Sequence, residues 1–155
     1  MGRVAAPLTG LRLDLPYAEA GRRVVDVRSR ELFSHVDGVL DANEPERVHQ
    51  MRVATRRLRA SLEVFADAFP AKAHRAVLAE VKALAAALGE RRDCDVQLEI
   101  LDELRASASR SERDAIDELL AELRHEQRAA NRHLKKALAH AEREDLETRL
   151  RRLSR

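Results

Sequence analysis

Val48, Met51, Thr55, Leu58, Leu62, Phe65 and Phe69 repeat at steps of three and four residues. That spacing places them along one stripe of an α-helix but scatters them over both faces of a strand, so the stretch can bury one edge only as a helix. A second run has the same property. Ile116, Leu120, Leu123, Gln127, Ala130, Leu134, Ala137 and Ala141 follow the strict four-three spacing of a helix-packing seam. With 5 glycines, 4 prolines, 3% aromatic and 36% charged residues in 155, the composition is that of long helices rather than a sheet. The fold class that follows is all-α, an antiparallel helical bundle with long helices.

Proline and glycine mark the boundaries. Pro16, Pro45 and Pro70 each precede a helix-forming stretch, where a first-turn proline costs nothing because its missing N–H has no intrahelical partner. The expected helices run from Pro16 to Leu40, from Pro45 to Phe69 and from Ala71 to Leu88, with Gly89 either ending the third or only bending it before a segment from Asp93 to Ala106. Ser111 with Asp114 resembles a capping box ahead of the last long helix. Leu146, Leu150 and Leu153 fall out of phase with the preceding seam, which predicts a break between Arg143 and Asp145. Residues 1–15 read as an N-terminal extension and 16–155 as one helical domain. No run approaches the roughly 18 apolar residues of a membrane span, and Met1 to Leu15 lacks a signal-peptide core, so the expected location is cytoplasmic. A lone cysteine, Cys94, excludes an internal disulfide and fits a reducing compartment.

Charge is unevenly spread although the net value is only +2. Pro45 to Leu62 carries five arginines against one acid, Glu90 to Leu123 five against eleven, and Arg124 to Arg155 ten basic residues against five acids. In the first of these segments His49, Arg52, Arg56 and Arg59 repeat at the same spacing as the buried seam but one residue later, which turns them about 100° away from it. Arg57 lies further round. With no acid between Arg47 and Glu63 in the sequence, these groups repel one another until an anion neutralises them. Guanidinium suits phosphate because its planar fork engages two oxygens and keeps its charge at any physiological pH. A row of such groups complements a linear polyanion.

The run Val48-His49-Gln50-Met51-Arg52-Val53-Ala54-Thr55-Arg56-Arg57-Leu58-Arg59 resembles the signature helix of the CHAD family, the conserved-histidine α-helical domains. A second element, Leu88-Gly89-Glu90-Arg91-Arg92-Asp93-Cys94-Asp95-Val96, resembles that family's Leu-Gly-x-x-Arg-Asp-x-Asp-Val segment. The resemblance implies a helical bundle that binds inorganic polyphosphate without catalysis, through His49, Arg52, Arg56, Arg57 and Arg59, with Lys82 and Arg92 added from the second segment; association with polyphosphate granules would follow. It also implies a longer domain of two pseudosymmetric halves, each with its own basic helix. This chain has one such motif, and its small apolar residues and patterned last helix suggest a homodimer that supplies the second.

Two other functions suit the same residues. The arginines fit a nucleic-acid backbone, although three Phe, one Tyr and no Trp leave little for base stacking. The seam from Ile116 to Ala141 fits a helical scaffold that pairs with a partner helix. No cofactor is implied, and phosphate-loop, dinucleotide and zinc-protease motifs are missing, so no enzymatic activity is expected. Asp93 and Asp95 beside Arg91 and Arg92 read as an ion-pair network rather than a metal site, and Cys94 as an ordinary helical cysteine. His125, His133 and His140 recur at about two-turn spacing, about 11 Å apart, too far to share one metal.

Overall fold

A computed structural model of the chain describes residues 5–155. It contains five helices, α1 (Tyr17–Phe33), α2 (Pro45–Val64), α3 (Ala71–Ser107), α4 (Arg110–Arg143) and α5 (Leu146–Leu153), and no strand among the described residues. The all-α antiparallel bundle expected from the sequence is what forms.

The stripe on α2 organises the core. Val48, Met51, Leu58 and Leu62 have no exposed surface, and they meet Val25 and Leu32 of α1, Val81, Leu84 and Leu88 of α3, Leu134 of α4, and Leu146 and Leu150 of α5. Thr55 lies in the same stripe because its hydroxyl donates to the Met51 carbonyl at 2.7 Å, which satisfies it without leaving the helix. At the far end of α2 the ring nitrogen Nε2 of buried His74 lies 2.8 Å from the Leu62 carbonyl, and its ring stacks on Phe69. That contact sets the antiparallel register of α2 and α3.

Several boundaries differ from the sequence reading. Helix α1 stops at Phe33, seven residues short of Leu40, because Asp37-Gly38 forms a turn in which Gly38 adopts φ 73°. A side chain at Gly38 would also lie 3.1 Å from the Arg47 guanidinium. Val39 is buried beyond that turn, so the apolar pattern continued where the helix did not. Helix α2 ends at Val64, and residues 66–68 form a 3-10 turn that brings the Phe65 side chain onto Gly21 of α1, where a Cβ would approach the Phe65 Cβ to 2.9 Å and its ring to 3.0 Å.

Gly89 neither ends nor interrupts α3, which runs unbroken for 37 residues. Glycine costs about 1 kcal/mol in a helix interior, and packing along both neighbours outweighs that. The capping box before α4 is Ser109 with Glu112 rather than Ser111 with Asp114, with the Ser109 N–H donating to Glu112 at 2.7 Å. The break after α4 falls where the phase shift placed it, at Asp145, the one described non-glycine residue with positive φ, 52°.

The four-three seam of α4 packs within the chain. Ile116, Leu120, Ala130, Leu134 and Ala141 are buried, and Gln127 donates to Asp95 of α3 at 2.7 Å. Arg105 pairs with Asp117 near the tip of the hairpin, and His133 with Glu90 further down, so α3 and α4 run antiparallel in constant register. That seam is therefore covered by α3 and does not offer itself to a second chain. Of the 26 alanines, Ala54, Ala87, Ala130 and Ala141 are buried; leucine and valine fill most of the core. No helix of the described residues is long and apolar enough to cross a membrane.

Candidate anion-binding site

Because α2 buries the stripe through Val48 and Leu62, its flank toward α3 carries His49, Arg52, Arg56, Arg59 and Glu63, all within about 40° of one line at 100° per residue. His49 and Arg59 are ten residues apart, so the row spans about 15 Å. Three of its members, His49, Arg52 and Arg56, have no side-chain hydrogen bond or ion pair with any described residue. Arg56 is exposed, and His49 and Arg52 are half-buried. A shallow depression of about 330 Å³ beside the row is lined by Val53, Arg56, Arg57 and Ala60.

The remaining sequence-selected cations are already paired. Arg59 Nε donates to Glu63 Oε1 at 3.0 Å, and Lys82 Nζ of α3 reaches the same oxygen at 3.2 Å. Hydrogen bonds from Arg59 and Lys82 hold the Glu63 carboxyl below its usual range. Glu63 therefore joins the α2 row to α3 and closes one end of the cationic track. Gly89 lies seven residues beyond Lys82, on nearly the same line of α3, and a Cβ there would meet nothing within 4 Å.

Arg57 faces the other way. Its Nη1 donates to Glu31 Oε1 at 2.8 Å, while Arg28 donates to the second Glu31 oxygen at 2.8 Å and the Ala6 N–H to the first at 3.3 Å. Burial pushes the Glu31 carboxyl up, but the hydrogen bonds from Arg28 and Ala6 and the charges of Arg28 and Arg57 outweigh it and leave the group below its usual range. Arg92 is largely covered and pairs with Glu99 at 3.3 Å. The structure thus brings His49, Arg52, Arg56, Arg59 and Lys82 to one side of α2, with Arg57 on the α1 side and Arg92 further along α3.

Sequence reasoning did not find Glu31, because its place beside Arg57 depends on how α1 packs. Glu63 was visible as the acid four residues after Arg59, the helical spacing for an ion pair. The ion-pair network read around Arg91 forms, but the complete burial of Arg91 was not legible in the sequence. Its side chain and that of Asp95 have no exposed surface; Nη1 of Arg91 pairs with Asp95, whose other oxygen accepts from Gln127. Burial pushes the Asp95 carboxyl up, against the hydrogen bond from Gln127 and the charge of Arg91. With both oxygens engaged, Asp95 is an ion-pair residue, as the sequence suggested. Burial, then the charges of Glu126 and Asp95, pushes the Cys94 thiol up, which leaves it less reactive than a free cysteine. His125, His133 and His140 are exposed.

Comparison with curated proteins and with solved structures returned no match. The family model for the CHAD domain matches residues 23–155, which takes in α2, the α3 segment around Arg92 and the whole of α4 and α5. The chain belongs to the CHAD-domain family.

Proposed function

We propose that this chain binds inorganic polyphosphate, without catalysis, along the α2 row. The observation that carries the reading is the unneutralised run of His49, Arg52 and Arg56, continued by Arg59 and Lys82 once their shared carboxylate is displaced. Family membership supports the same ligand. A linear chain of phosphates places negative charge repeatedly along such a row, and each arginine gains a charge-assisted hydrogen bond that a solvated surface would not give it.

Competition tests the ligand class. Labelled long-chain polyphosphate bound to the protein should survive an equal phosphate concentration of duplex or single-stranded nucleic acid at moderate salt. Displacement by either nucleic acid would make the backbone-binding reading correct instead. A second proposal concerns assembly. Ile100, Leu104 and Leu119 are each about half exposed near the tip of the α3–α4 hairpin, which supplies an apolar surface for a second copy and hence a second basic row. Light scattering should then give twice the 17.5 kDa chain mass; a single-chain mass removes the dimer.

A further inference from the structure

The basic excess between Arg124 and Arg155 plays no part in the α2 row, and the fold gathers some of it elsewhere. Helix α5 buries Leu146, Leu150 and Leu153, so Arg149 and Arg152, each one residue before a buried leucine, flank the core on the same side. Together with Arg155 and with Arg22 of α1 they line a pocket of about 340 Å³, whose inner wall includes the buried Val77 and Leu153. No Asp or Glu among the described residues lines it. Arg149 is held in place by Glu80 of α3 and by the Glu144 carbonyl at 3.3 Å. The guanidinium groups of Arg22, Arg152 and Arg155 have no partner among the described residues.

We infer that this pocket is a second anion site, separate from the α2 row, that takes a compact phosphate-class anion such as pyrophosphate. Four arginines from two ends of the chain line one pocket with an apolar wall, and each can give a phosphate oxygen a charge-assisted hydrogen bond. The concave shape suits a compact anion, whereas the α2 row suits an extended one. Separation of the two sites follows from helix geometry. Ala73, in the pocket lining, and Lys82, beside the α2 row, are nine residues apart on α3, about 180° of rotation, and so lie on opposite sides of a helix about 10 Å across.

Calorimetric titration with pyrophosphate tests the inference on the full chain. The Arg22→Ala/Arg152→Ala variant should lose about tenfold or more in pyrophosphate affinity, while Arg52→Ala/Arg56→Ala should change it by less than about twofold. Methyl resonances of Val77 and Leu153 should shift on adding pyrophosphate to the unaltered protein, a readout that does not depend on the variants folding. The inference is overturned if those methyls do not move at millimolar pyrophosphate, or if the Arg22/Arg152 variant, with an unchanged melting curve, binds pyrophosphate as tightly as the parent. Because long-chain polyphosphate binding to the α2 row should persist in that variant, failure of this site and failure of the α2 assignment give different results.

Discussion

Replacing Asp95 with alanine removes one half of an ion pair in which both side chains have 0% exposure. The guanidinium left behind is poorly placed to recover. Its Nε and Nη2 have no hydrogen-bond partner among the described residues, so the Asp95 carboxylate takes the one side-chain hydrogen bond that Arg91 makes. Removing one partner of a buried pair costs roughly 3–5 kcal/mol, and the lack of alternatives puts this case in that range, about 4 kcal/mol. For a chain of this size each kcal/mol lowers the melting temperature by about 2–4 °C, so Asp95→Ala should melt roughly 8–16 °C lower. Calorimetry or circular dichroism at neutral pH measures it. The double variant Arg91→Met/Asp95→Leu, which fills the space without charge, should recover most of the loss. A loss below about 1 kcal/mol in the single variant, or a double variant no more stable than the single, would refute the claim that this desolvated pair within α3 depends on both of its charges. The pair matters for the site because Lys82 and Arg92 lie on the same helix, α3.

Two further outcomes are expected. Glu63→Gln frees Arg59 and Lys82 from their shared carboxylate, so polyphosphate should bind several-fold tighter, on the order of threefold for half-exposed pairs of this kind; weaker binding by calorimetry would contradict the role given to Glu63. Glu31 titrates below its ordinary 4.5 in the folded state, so its contribution to stability is present above the unfolded value and is lost as pH falls through the lower folded value. Glu31→Gln should therefore flatten the acid side of the stability profile, read as urea midpoints from about pH 6 to about pH 3, and parallel profiles for the two proteins would remove the Glu31 cluster as a source of that dependence.

The parts of the fold written within one helix were legible. The α2 stripe, the row beside it and the phase break at Asp145 each follow from the spacing of residues close in sequence. The end of α1 was not, since Val36, Val39 and Leu40 continue an apolar pattern that the Asp37-Gly38 turn redirects into a loop. Gly89 misled in the other direction, because packing on both sides of α3 outweighs one residue's propensity. The α4 seam was read correctly as a packing surface, but its partner is α3 rather than another chain. In the site, Arg52 and Arg56 stand as their spacing placed them, whereas the state of Arg57 depends on Glu31, which lies 26 residues away in sequence and reaches it through tertiary packing.

The α2 row itself is tested most directly by titrating long-chain polyphosphate into the parent protein and into Arg52→Ala, Arg56→Ala and Arg59→Ala, singly and combined. Each single change should weaken binding by about 1 kcal/mol or more, the triple change should nearly abolish binding at the row, and the melting curves should stay in place because these side chains flank the buried stripe. Affinity of the parent should also fall steeply with added salt as bound counterions are released. Unchanged affinity in a folded triple variant, or an isotherm indifferent to salt, would contradict the assignment of the α2 row as the polyphosphate site.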